Sequence, residues 1–274
     1  MQDSAKDTKL IDALIDVEGV CVELQGLRYH QGLSLFSELY RQNSTSVQPQ
    51  LRIIAQMDGL HCEWLQADTK PLKYYIDIDK FTQQQRSYPA AKQGALNQAL
   101  GKKTKRVLDA TAGWGGDALL MCAQGYEVTL IERNPVMALL LNDAMRRLAM
   151  SEWAQDNQLN IPRVIHEDAI SFLQYDRADI DCIYLDPMFP PKRKKSAAVN
   201  KRLQLLQWMV GSDLDASQLL KNAMNFPCSR VVVKRPDNAK PLIAKPSQQY
   251  SSKLVHYDVY LNTRLPGTEW RRSA

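Results

Sequence analysis

Gly113, Trp114, Gly115, Gly116 and Asp117 form a loop that follows the short apolar run Arg106-Val107-Leu108-Asp109. Glycines let a chain turn sharply and let a ligand approach the backbone where a β-carbon would block it. A second apolar run, Glu127-Val128-Thr129-Leu130-Ile131, is closed by Glu132, 19 residues after Gly113. That spacing suits an acid that accepts hydrogen bonds from a ribose hydroxyl pair, so loop and acid together point to an adenosine-containing ligand. The loop departs from the dinucleotide fingerprint Gly-x-Gly-x-x-Gly. Asp117 beside it is a poor neighbour for a pyrophosphate and a good one for a cationic sulfonium with its amino-acid group. There is no Gly-Lys-Ser/Thr phosphate loop. S-adenosylmethionine is the favoured cofactor, with Asp109, Gly113, Gly115, Gly116, Asp117 and Glu132 as candidate contacts.

A fourth apolar run, Asp181-Cys182-Ile183-Tyr184-Leu185, leads into Asp186-Pro187-Met188-Phe189. The exocyclic amine of a nucleobase is a poor nucleophile because its lone pair is delocalised into the ring. A site that methylates it needs acceptors aimed at the amino protons, here the Asp186 carboxylate and the Pro187 carbonyl, and an aromatic face such as Phe189 to hold the base flat. Asp-Pro is also a common turn opener; beside the glycine loop, the catalytic reading prevails.

Pro190 and Pro191 then give way to Lys192-Arg193-Lys194-Lys195, followed by Lys201-Arg202. Such a run is often only a solvated loop. Directly after a base-binding motif it suits a phosphate backbone, with the target nucleotide flipped into the site. Lys234 and Arg235 are candidates to add to that grip. The four histidines have neither metal spacing nor a nucleophile partner and read as structural. Trp114 can pack either on the cofactor or on the fold.

The elements that must position these residues alternate as strand and helix from Arg106 onward, the signature of a parallel sheet with helices on both faces. Strands are expected at 106–109, 127–131, 163–166, 181–185 and 230–234, with one or two more from Lys253-Leu254-Val255 and Tyr257-Asp258-Val259-Tyr260. Helices are expected at 117–124, closed by Gly125, and from Pro135 to about Ala149 behind an Asn134 cap. Asp109, Glu132, Asp168 and Asp186 would then share the carboxyl rim of the sheet, where such folds bind ligands. This Rossmann-like α/β domain is expected over 101–274.

Residues 1–100 read as a small α+β region, with a hairpin turn at Met57-Asp58-Gly59 and a short amphipathic helix at Gly32–Tyr40. Gln83 to Lys105 reads as a polar connection. At 274 residues with 45% apolar and 24% charged residues, the chain has the composition of a soluble globular protein. No apolar run approaches a membrane span and the first residues lack a secretion signal. Five scattered cysteines with no Cys-x-x-Cys suggest reduced thiols in a cytoplasm, and no metal site.

Several ungapped stretches resemble the RsmJ family of bacterial methyltransferases. They are Asp109 to Ala118, Glu132-Arg133-Asn134-Pro135, Tyr184 to Pro190, Val210 to Asp215 and Val231 to Asp237. The resemblance runs from about Arg106 to Tyr260. It implies S-adenosylmethionine-dependent methylation of guanine N2 near the 3′ end of 16S ribosomal RNA, of the guanine 1516 type. It also implies cofactor contacts from Gly116, Asp117, Glu132, Arg133, Asp168, Ala169 and Asp186. Two features depart from the family pattern: Gly116 stands where an arginine is frequent, and Asp168-Ala169 stand where small hydroxyl residues are found. The partner implied is 16S rRNA or the small ribosomal subunit, without membrane or metal; the oligomeric state is left open. The alternatives are an adenine-N6 nucleic-acid methyltransferase, a non-catalytic rRNA-binding assembly factor and, more distantly, a dehydrogenase.

Overall fold

The computed structural model describes residues 10–17 and 20–28 by their backbone, and residues 51–65, 70–89, 93–175, 179–189, 205, 215–237, 239–243 and 245–262 in full. The expected helix at Gly32–Tyr40, the basic run Lys192, Arg193, Lys194 and Lys195, and the stretch 210–214 lie outside the described residues.

Two sheets organise the chain. The first holds β1 (Leu10–Val17), β2 (Val20–Arg28), β3 (Leu51–Gln56), β4 (Gly59–Trp64) and β5 (Leu72–Tyr74) in sequential order. Its pairs are antiparallel except β2–β3. Gln56 faces Gly59 across the two-residue turn Met57-Asp58, the hairpin the sequence predicts.

The second sheet holds β6 (Arg106–Asp109), β7 (Glu127–Glu132), β8 (Arg163–His166), β9 (Cys182–Leu185), β10 (Arg230–Pro236), β11 (Gln248–Ser251) and β12 (Val255–Leu261). Their order is β11-β12-β10-β9-β6-β7-β8. The five strands from β10 to β8 are parallel, and β12 runs against both its neighbours. Strand order reverses at β6, which lies between β7 and β9; a ligand crevice is expected at such a reversal, outside the carboxyl ends.

Buried strands of a parallel sheet read as apolar runs because both faces are covered. Cys182, Ile183, Tyr184 and Leu185 of β9 are all fully buried. Their side chains alternate between two cores: Cys182 and Tyr184 pack on one face, Ile183 and Leu185 on the other. The first face is covered by α2 (Gly94–Leu100), α3 (Gly116–Ala123) and α4 (Pro135–Met150), the second by α6 (Ala169–Tyr175) and α7 (Ala216–Asn225). Asn134 caps α4 as the sequence predicts, its Oδ1 accepting from the N–H groups of Val136 (3.0 Å) and Met137 (3.1 Å). The short α5 (Glu152–Asp156) follows directly.

The first sheet and the helices share a core, since Leu51, Ile53 and Cys62 belong to the same buried cluster as Leu139 and Leu148. Asp143 of α4 accepts from the Leu60 N–H of β4 at 3.0 Å and pairs with Arg147 at 2.8 Å. Arg147 in turn donates to the Ile76 carbonyl at 2.9 Å.

Two expectations need correction. The stretch 83–105, expected as a connection, contains the end of α1 (Ile78–Ser87) and all of α2. The inward side of α1 presents Ile78, Phe81, Thr82 and Gln85, so its apolar period is carried by two residues alone. The strand before β12 is Gln248–Ser251; Lys253 and Leu254 belong to the turn, and Leu254 is exposed. As an edge strand with exposed polar side chains, β11 carries little hydrophobic signal.

Candidate active site

The carboxyl ends of β6, β7, β9 and β10 and the start of α6 enclose a cleft of roughly 390 Å³, within the ~300–1,000 Å³ range of small-molecule sites. The structure brings Asp109, Gly113, Gly116, Asp117, Glu132, Arg133, Asp168, Ala169, Asp186, Pro187 and Phe189 to its wall. Gly115 does not line it. That residue is the left-handed turn (φ 70°) that starts α3, and a β-carbon there would meet Leu141 Cδ2 at 2.7 Å. A β-carbon on Gly116 would meet nothing within 4 Å, so the cradle stays open on its ligand side.

Glu132 ties the loop to the sheet. It is nearly buried, and its two carboxylate oxygens accept from the N–H of Gly113 (3.0 Å) and of Asn134 (2.8 Å). Asp168 caps α6 by accepting from the Ser171 N–H at 3.0 Å, with Ala169 as the first residue of that helix. Arg133 pairs with Asp215 at 2.9 Å.

A charged network crosses the cleft. Lys234 Nζ lies 2.7 Å from Asp117 Oδ2 and 2.9 Å from Asp186 Oδ2. The Tyr184 hydroxyl donates to Asp117 Oδ2 at 2.6 Å, and the Asp186 N–H donates to Thr111 Oγ1 at 2.6 Å. Burial, with the negative charges of Asp117 and Asp186, raises the Tyr184 phenol well above its ordinary value, so it stays a donor. Burial would lower the Lys234 ammonium, but the same two carboxylates outweigh it and hold it above the usual lysine value. Asp109 accepts from the Thr111 N–H at 3.1 Å, yet burial pushes its carboxyl up to about 8, with Asp117 and Asp186 adding to the rise.

The cleft fits the expected cofactor in charge. Its described walls carry seven acids (Asp109, Asp117, Glu132, Glu167, Asp168, Asp186, Asp215) against two bases, Arg133 and Lys234, and both bases are already paired with acids. Such a cleft favours a cationic ligand and repels a pyrophosphate.

Lys234 and Arg235, expected to add to the RNA grip, are both found paired with acids. Lys234 points into the cleft and is engaged by two carboxylates. Arg235 is 5% exposed, and its guanidinium donates to Asp258 (2.6 Å) and to the Pro236 carbonyl. A buried, paired guanidinium is not available to a phosphate. Sequence reasoning also assigned no role to Thr111 or Tyr184. The two-residue strand period held one signal, since it sets Tyr184 on the same face as Asp186.

Among the described residues, no helix is long and apolar enough to cross a membrane, and no three His, Cys, Asp or Glu side chains are grouped to hold a metal. The four cysteines with described side chains, Cys62, Cys122, Cys182 and Cys228, are free and buried.

Comparison with known proteins gives consistent matches. Residues 38–262 match the family model described as "Putative SAM-dependent methyltransferase". Ribosomal RNA small subunit methyltransferase J of Legionella pneumophila (strain Corby) is 40% identical over 189 residues, 68% of this chain and 75% of that protein. The protein of the same name from Shewanella loihica is 39% identical over 188 residues, 66% of this chain and 71% of that one. The crystal structure of a SAM-dependent methyltransferase from Neisseria gonorrhoeae superposes with a TM-score of 0.62 at 23% identity, covering 85% of this chain and 92% of the other, a likeness of fold.

Proposed function

The chain belongs to the SAM-dependent methyltransferase family that includes the ribosomal RNA small subunit methyltransferases J, and from that premise we propose that it methylates the N2 amine of a guanosine in 16S ribosomal RNA. The observation that carries this reading is the acidic cleft at the strand-order reversal, whose wall carries the glycine loop, Asp186 and Phe189 together.

S-adenosylmethionine supplies a methyl group activated by a sulfonium. Gly113, Gly116 and Asp117 would hold its amino-acid end, Glu132 and Arg133 its ribose, and Asp168 with Ala169 its base. Asp186 and the Pro187 carbonyl would accept hydrogen bonds from the guanine amine and orient its nitrogen lone pair; as the N–C bond forms the S–C bond breaks to leave a neutral thioether, and the surplus amine proton passes to water. Phe189 stacks on the base. Proximity and alignment supply most of the acceleration, since well-oriented partners gain about 7–11 kcal/mol over free encounter. The basic run Lys192, Arg193, Lys194 and Lys195 follows this pocket in sequence and suits the RNA backbone.

Incubation with labelled S-adenosylmethionine and under-methylated small subunits, or their naked RNA, should label the ribosomal RNA; label appearing only in DNA or protein contradicts the reading. Asp186→Ala should abolish transfer, while cofactor binding is at most weakened. Wild-type turnover in that variant removes Asp186 from the mechanism.

A further inference from the structure

Strand register determines which side chains meet under α3. In the parallel β9–β10 pair, Val232 faces Tyr184 and Val233 faces Leu185, so one step further Lys234 comes beside Asp186. Tyr184 and Val232 face the core that α3 covers, and a period of two sets Asp186 and Lys234 on that same side. Asp117, in the first turn of α3, completes the group.

We infer that Lys234 is a positioning residue for methyl transfer, an ammonium that fixes the Asp186 carboxylate, ionised and aimed, to the acid of the cofactor loop. This rests on the proposed role of Asp186 as acceptor of the amine protons. The groups facing Lys234 and Asp186 are Asp109 from β6, Asp117 from α3, Tyr184 from β9 and Tyr257 from β12. Asp109, Asp117 and Asp186 gather in one partly buried cleft, where the Asp109 carboxyl is pushed up first by burial and then by the charges of the other two. Arg133, the other base on the described cleft wall, is directed to Asp215. Among the bases on the described cleft wall, Lys234 is the one set 2.9 Å from Asp186 Oδ2. It also spans two elements, so displacing the cofactor loop displaces the acceptor's partner.

The role is separable from plain stabilisation by a pH profile. Removing a neighbouring cation raises a carboxylate's pKa, by about 1–3 pH units for a close pair. In Lys234→Met the acid limb of the kcat profile should move up by at least about 1 pH unit. At neutral pH, kcat should fall roughly 100-fold with little change in KM for RNA, as expected of lost alignment. Lys234→Arg should restore most of both. If Lys234→Met does not fold, Lys234→Met/Asp117→Asn, which removes the stranded acid, should show the same shift relative to Asp117→Asn alone. A folded variant with an unmoved acid limb and kcat near wild type overturns the assignment. Carbon-13 titration of the Asp186 carboxyl decides it without activity: its pKa rises in Lys234→Met or the assignment fails. Absence of rRNA methylation by the wild-type protein would instead overturn the function proposed above.

Discussion

Asp109 lies at the end of β6 with its carboxyl pushed up to about 8 by burial and by the charges of Asp117 and Asp186. A cationic ligand entering the cleft favours the ionised form, so its bound-state pKa lies below 8 and binding releases a proton. Below the bound-state pKa the affinity is at its floor; it climbs as pH rises toward about 8 and levels beyond. We expect S-adenosylmethionine affinity, measured by titration calorimetry, to rise across that window in the wild type and to lose this component in Asp109→Asn. The ligand's own amine titrates near 8 as well, so the difference between the two proteins is the quantity to compare. Identical pH dependence in both would contradict the linkage. At this scale the sequence made the acids legible, because Asp109, Glu132, Asp168 and Asp186 each end or follow an apolar run and all reach one cleft. The direction of Lys234 was not legible. It depends on β10 lying beside β9, a neighbour remote in sequence, and the buried partner of Arg235 is Asp258 on β12 for the same reason.

Gly115 and Gly116 look alike in sequence and do different work as elements of the turn into α3. Gly115→Ala places a side chain in the left-handed region and against Leu141, which we expect to cost about 2–3 kcal/mol by denaturant unfolding. Gly116→Ala meets open space in the first turn of the helix and should leave stability within about 1 kcal/mol of wild type. Equal losses at both positions would contradict the turn geometry. Asn134→Ala removes the acceptor of two N–H groups at the start of α4 and should cost about 1 kcal/mol. Elements with a cap or a buried apolar run, such as α4 and β9, could be read from the residues alone. Those whose inward side mixes apolar with polar residues, such as α1, or whose strand is an exposed edge, such as β11, could not.

Across the whole molecule, Asp143 joins the first sheet to the methyltransferase sheet by holding the Leu60 N–H and two arginines, Arg146 and Arg147, while being 3% exposed. Its carboxyl stays below the ordinary range although burial opposes this, because the Leu60 N–H and the arginines favour the charged form. Asp143→Ala strands Arg147 and the Leu60 N–H, and we expect a loss of about 3 kcal/mol in unfolding of the full chain. The effect should reach both sheets, because one core spans them. Far-ultraviolet and tryptophan signals that remain at wild-type midpoints would contradict that coupling.

The proposed acceptor of the methyl group is guanine N2. The most direct test is mass analysis of nucleosides from under-methylated small-subunit RNA treated with the protein and S-adenosylmethionine, beside a matched Asp186→Ala reaction. We expect N2-methylguanosine from the wild type and none from the variant. N6-methyladenosine, or N2-methylguanosine formed equally by both proteins, would contradict it.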